Sequence, residues 1–187
     1  METIEKRNIK NGVDLIVLGA TVAAMKDDAG LGHAKFRVNN AWIDGNRNVS
    51  KITGFYGARE EISHSQEFSI NADEPPVLAG SDTAPNPVEI LLSALASCLT
   101  TSLVAHASVN GIEIGSVESE IEGDLDLNGF LGLDPSVAKG FTDIRVKIHV
   151  DADDDNVAKL RRLALFSPVY NTLTSDVNVS VNIDAQR

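Results

Sequence analysis

Cys98 is the only cysteine among the 187 residues, and its thiol is the side chain with the most distinctive chemistry in the chain. A cysteine acts as a nucleophile or redox centre through its thiolate, which needs a nearby cation, a basic partner or a helix N-terminus. Cys98 lies in the middle of the apolar run Ile90 to Val109, so the dipole of a helix over that run does not act on it. Taken alone it reads as a small buried hydrophobe, the usual state of free cysteine. A single cysteine also excludes an internal disulfide and a cross-linked secreted framework.

Glu89 is the carboxylate that precedes this thiol, nine residues earlier in the chain. On one straight helix that spacing is about 13 Å of rise and about half a turn, so the two side chains do not touch. Asn86-Pro87-Val88-Glu89 reads instead as a helix start: Asn caps, Pro suits the first turn, and Glu closes a capping box three places after the cap. Asp124-Leu125-Asp126-Leu127-Asn128-Gly129 matches the opening of a calcium loop, but Pro135 stands where the closing carboxylate belongs. His33, His64, His106 and His149 have no ligand spacing. No metal or cofactor is expected.

The elements that position these residues follow from periodicity. Val13 to Asp28 reads as a short helix ended by Gly30 and Gly32. Ala34 to Ile43 and Val49 to Tyr56 read as strands joined at Asp44-Gly45-Asn46-Arg47, with a third strand from Glu67 to Asn71. The central helix runs from the Asn86 cap to Asn110-Gly111, and no charged residue lies between Glu89 and His106. An uncharged helix of that kind is expected to be buried on most sides. Val117, Ile121, Leu125 and Leu127 share one parity, as do Ile144 to Val150 and Val177 to Ile183, which predicts three half-buried strands. A helix from about Asp154 to Phe166 turns Leu160, Leu163 and Ala164 inward, and Ser167-Pro168 can cap and start another. The class is therefore α+β, with antiparallel sheets covered by helices.

The formal net charge of -11 argues against nucleic acid and anionic membranes as partners. The apolar stretch Val13 to Met25 is broken by Asp14, Gly19 and Thr21, too short for a bilayer span and poorly shaped for a signal peptide. A cytoplasmic protein is expected.

Asn86-Pro87-Val88-Glu89, the helix Leu91-Leu92-Ser93-Ala94-Leu95-Ala96-Ser97-Cys98, and Phe166-Ser167-Pro168-Val169 together resemble the OsmC/Ohr family of thiol-dependent peroxidases. The order β-β-β-α, β-β-α-β agrees, and the likeness runs from about Ala34 to the C-terminus. Asp73-Glu74-Pro75-Pro76-Val77-Leu78 and the Ser-Pro-Val sequence resemble a less characterised branch of it. Residues 1–32 form an N-terminal helical extension outside the common core, and residues 33–187 the OsmC-like domain.

The resemblance implies an OsmC-like fold in which antiparallel sheets pack around the long central helix, in an intertwined homodimer. It implies that Cys98 is the peroxidatic cysteine, attacking the O–O bond of an organic hydroperoxide to give a sulfenic acid and an alcohol. The family's resolving cysteine falls on Ser167, which cannot form a disulfide, and its glutamate falls on Val88, with Glu89 one place late. Its activating arginine belongs near the first hairpin, where Arg47 matches best and Arg37 is the weaker candidate. The site set is thus Cys98, Arg47, Glu89 and Ser167, with Ser167 supplying a hydroxyl near the thiol. Without a resolving cysteine the implied cycle uses one cysteine and an external thiol reductant. Two other readings stand beside it: a non-catalytic module that binds an apolar small molecule around Cys98 at the dimer interface, and a purely structural dimer.

Overall fold

A computed structural model describes residues 8–185 of the chain. The chain divides after Ser93 into two compact units, and the long central helix passes from one into the other.

The first unit opens with a small hairpin, β1 (Ile9–Lys10) and β2 (Val13–Asp14), turning through Asn11 and Gly12. Both turn residues have positive φ, 48° and 79°, the conformation that favours Asn-Gly in a two-residue turn. Helix α1 (Leu15–Asp27) follows directly, capped by the Asp14 carboxylate, which accepts from Ile16 N at 3.0 Å and Val17 N at 3.3 Å. Asp14, which breaks the apolar run in the sequence, therefore begins the helix.

Strands β3 (Lys35–Phe36), β4 (Asn39–Asp44), β5 (Arg47–Gly57) and β6 (Glu60–Ala72) form one antiparallel sheet. β5 is its hub: β6 pairs along one edge, while β4 pairs with residues 47–51 and β3 with Phe55 and Tyr56. The expected first strand, Ala34 to Ile43, is thus interrupted between Phe36 and Asn39, and the third is far longer than Glu67 to Asn71. Phe36, Phe55, His64 and Phe68 make a ring series across β3, β5 and β6, with successive centroids 5.3, 5.7 and 5.2 Å apart. Phe36, Trp42, Val38 and Val77 are nonetheless largely exposed.

The long helix is α2 (Pro87–Val109). It is the one helix among the described residues with the length and hydropathy of a membrane span, by length and composition only. In the second unit its stripe Leu95, Leu99, Leu103 and Ala107, spaced four apart, enters the hydrophobic core. The core is completed by Ile112 and by Leu160, Leu163 and Ala164 of α4 (Asp154–Ala164). Beneath these lie β7 (Val117–Asp124) and β8 (Asp143–Val150), antiparallel, with Val117, Ile121, Ile144, Ile148 and Val150 packed against the core. On the wet face Arg145 binds Glu122 at 2.7 Å and Asp124 at 2.6 Å.

Within one chain the apolar helix is buried along one stripe, where α4 and the sheet meet it. Two expectations are corrected in this unit. Leu127 belongs to a short helix, α3 (Leu127–Phe130), because Asp126 turns the chain by accepting from Asn128 N at 2.8 Å. The strand expected at Val177 to Ile183 is not formed: after α5 (Pro168–Leu173) the chain runs without regular structure, and these apolar side chains are 53–92% exposed.

Candidate functional site

Cys98 is half-buried on α2. It lies about 100° around the helix from Leu99 and about 60° from Leu95, on the flank of the buried stripe. Ser97 and Thr101 on that side are exposed, so the thiol borders the open face of the helix. Thr101 Oγ1 donates to the carbonyls of Ser97 at 3.0 Å and Cys98 at 3.2 Å. Among the described residues of its own unit, no side-chain hydrogen bond reaches the Cys98 sulfur.

Ser167 is fully buried between α4 and α5. Its hydroxyl accepts from Tyr170 N at 3.2 Å and caps α5, with Pro168 in the first helical position. Its carbonyl accepts from Asn171 Nδ2 at 2.8 Å. The ring of Phe166, one residue earlier, lies 4.4 Å from His106 of α2. This contact ties the Phe-Ser-Pro-Val segment to α2 about two turns beyond Cys98. Nothing in the spacing of His106 announces this pairing; only its place near the helix end, beside an aromatic from a distant segment, does.

Glu89 closes the capping box read from the sequence. Its Oε2 accepts from Asn86 N at 2.8 Å, and Asn86 Oδ1 accepts from Val88 N at 2.8 Å. Asn86 also donates through Nδ2 to Glu74, which anchors the helix start to the preceding loop.

Arg47 opens β5 at the hairpin tip and grips Asp44 bidentately, Nε to Oδ1 at 2.6 Å and Nη2 to Oδ2 at 2.7 Å. These hydrogen bonds hold the Asp44 carboxyl below its usual range, and the more distant Asp73 charge raises the Arg47 value further. Arg37 is paired in the same way with Glu61, at 2.6 and 2.8 Å. Arg47 and Glu89 belong to the first unit, Cys98 and Ser167 to the second.

The sequence reading placed Asp73 in the Asp73-Glu74-Pro75-Pro76 motif but gave its side chain no role. It is 1% exposed and accepts from Glu74 N (2.8 Å), Ser81 N (3.4 Å), Thr83 N (3.0 Å) and Thr83 Oγ1 (2.8 Å). Those donors, the Thr83 pair foremost, pull its pKa down to about 2. The loop so folded also accepts Asn46 Nδ2 at the Leu78 carbonyl, 2.9 Å, and so braces the turn beside Arg47.

The family model for OsmC-like proteins matches residues 80–182, just over half of the chain. No curated protein sequence matches significantly. Among solved structures, a putative osmotic stress induced and detoxification response protein from Psychrobacter arcticus aligns with a TM-score of 0.55 at 18% identity, over 72% of this chain and 85% of that one. An OsmC-like protein from Mycoplasma pneumoniae aligns at 0.55 and 17%, over 75% and 87%. An OsmC-like protein of unknown function from Vibrio cholerae aligns at 0.56 and 12%, over 74% and 92%. At these identities the structures speak for the fold, and together with the match from the Asp73 loop's end through α5 they place the chain: it belongs to the OsmC-like protein family.

Proposed function

We propose that this protein is a cytoplasmic, homodimeric OsmC-like redox protein that reduces organic hydroperoxides through Cys98. The observation that carries the reading is the position of the sole thiol on α2, half-buried at the edge of the open helix face rather than sealed in the core. The Cys98 thiolate attacks the terminal peroxide oxygen, the O–O bond breaks, and the alkoxide leaves and takes a proton as the alcohol. An external thiol then attacks the Cys98 sulfenic acid, releasing water and forming a mixed disulfide. A second external thiol frees Cys98 and leaves with the first as a disulfide. Ser167 takes no covalent part in this cycle, since its hydroxyl caps α5. Arg47 is the candidate activator on this reading, and its ion pair with Asp44 is exposed and therefore weak.

The test is turnover of cumene hydroperoxide with a dithiol reductant, against a Cys98→Ser control. Peroxide loss well above the control is expected; equal rates would sink the proposal. A second reading, a binding module in which Cys98 only lines an apolar site, is favoured by the engaged Ser167 hydroxyl and the Asp44-bound Arg47. Mass spectrometry after mild peroxide treatment separates the two. A trapped sulfenic acid at Cys98 fits the peroxidase, and a persistent thiol fits the binder.

A further inference from the structure

Three Asn-Gly pairs stand in the chain, Asn11-Gly12, Asn110-Gly111 and Asn128-Gly129. Asparagine before glycine undergoes a reaction that needs water alone. The glycine backbone nitrogen gives up its proton and attacks Cγ of the asparagine; the Cγ–Nδ2 bond breaks, ammonia leaves, and a cyclic succinimide remains. Glycine favours the step because no Cβ hinders its nitrogen. Water then opens the ring at either carbonyl. Opening at Cγ gives aspartate, and opening at the main-chain carbonyl gives isoaspartate, in which the chain runs through the side-chain carbon. The ring closes where the glycine N–H and the asparagine amide can leave their hydrogen bonds and turn towards each other, and on this point the three pairs differ.

Two of them are held. At the end of α2, Gly111 N donates to the Ser108 carbonyl at 3.1 Å and Asn110 Nδ2 to the His106 carbonyl at 2.8 Å. The next amide, of buried Ile112, donates to the Ala107 carbonyl at 2.9 Å, which fixes this helix stop to the core of the second unit. In α3, Gly129 N donates to the Asp126 carbonyl at 3.1 Å and Asn128 Nδ2 to Asp126 Oδ1 at 2.8 Å. Gly129 is also buried against Val137 and Ala138.

Asn11-Gly12 is the turn between β1 and β2, whose ladder pairs Lys10 with Val13 and Ile9 with Asp14 and leaves the Gly12 N–H outside it. Gly12 is exposed, and β1 and β2 pair only with each other among the described residues. A lone hairpin of this size is marginally stable and opens readily. We infer that Asn11 is a site of spontaneous deamidation and isomerisation in the folded protein. The aspartate product keeps the turn, since Asp-Gly suits it as Asn-Gly does. The isoaspartate product does not, because an extra main-chain carbon between Lys10 and Val13 undoes their register. Leu15 N donates to the Asn8 carbonyl at 2.9 Å across the same hairpin, so the start of α1 loses this tie as well. The inference stands apart from the redox proposal.

The test ages the full-length protein in warm, mildly alkaline buffer, beside a sample unfolded in urea. Peptide mass mapping follows the three sites over time, with fragmentation that separates aspartate from isoaspartate. In the folded protein Asn11 is expected to deamidate at least about tenfold faster than Asn110 and Asn128, which must first open their helix ends. In urea the three rates are expected to converge. A smaller lead for Asn11 in the folded protein, or the same lead in urea, would overturn the assignment. Hydrogen exchange of the aged, isoaspartate-containing protein is expected to be faster at Lys10 to Leu15 than in fresh protein. Unchanged exchange there would overturn the loss of the turn.

Discussion

The Asp73 carboxylate is held by its own loop, and its chemistry has a measurable consequence. Four donors converge on a carboxylate that is removed from water, so the ionised form is stabilised by the fold and by nothing in the unfolded chain. Its folded pKa of about 2 lies below the ordinary carboxylate value near 4. The stabilisation is therefore complete above about pH 4 and is lost as pH falls through about 2. Urea midpoints followed from pH 5 to pH 2 are expected to fall more steeply for the natural protein than for Asp73→Asn, which is less stable throughout at neutral pH. Parallel curves would show that Asp73 is not the titrating group. Glu89 makes the converse case. As a cap it tolerates Gln, which completes the same box, whereas Glu89→Ala is expected to cost about 0.5–1 kcal/mol in denaturant unfolding. A Glu89→Gln variant that keeps its stability but loses peroxide turnover would instead make Glu89 part of the chemistry.

At the scale of elements, α2 does two jobs with one apolar sequence. Its Leu95–Leu99–Leu103 stripe builds the core of the second unit while its flank carries the thiol. Leu99 is 3% exposed, so Leu99→Ala is expected to cost about 2–5 kcal/mol, read as a lowered denaturant midpoint at unchanged slope. Much of this architecture was legible beforehand, because it rests on local signals. The Asn86 box, the Ser167 cap, the inward Leu160, Leu163 and Ala164, and the alternation of β7 and β8 all stand as the spacing predicts. What was missed depends on φ or on partners. The Asn11-Gly12 hairpin carries a recognised turn signal in a segment too short to show alternation. Leu127 keeps strand parity, yet Asp126 has already turned the chain. Val177 to Ile183 alternates as a strand should, but alternation names only a segment's two faces and does not supply the edge that pairs it. Arg47 was found as the arginine of the first hairpin, while its bond to Asp44 depends on register, which composition does not encode.

For the whole molecule, the decisive quantity is the apolar surface that one chain leaves uncovered. In the first unit Ala72 is the only hydrophobic side chain buried among the described residues, while Phe36, Trp42 and Val77 are each more than 70% exposed. Along α2 only one stripe is buried, although its residues are apolar on every side. Exposed apolar area on this scale is unusual for a monomer, and the homodimer proposed above would cover it. Two copies that bury these faces against each other would form the large, hydrophobic contact typical of obligate dimers, about 2,000 Å² or more. The expected solution mass is therefore twice the 20.0 kDa of the chain, and the thermal midpoint should rise with protein concentration, since association stabilises by mass action. Ala94→Glu introduces a charge at an exposed position on the open side of α2, outside the Leu95–Leu99–Leu103 stripe. It is expected to lower the midpoint and steepen its concentration dependence, because the dimer then dissociates within the accessible range. Sedimentation equilibrium of the natural protein is the direct measurement. A single-chain mass at micromolar concentration, with a concentration-independent midpoint, would leave these faces without a second copy and remove the dimer from the proposal.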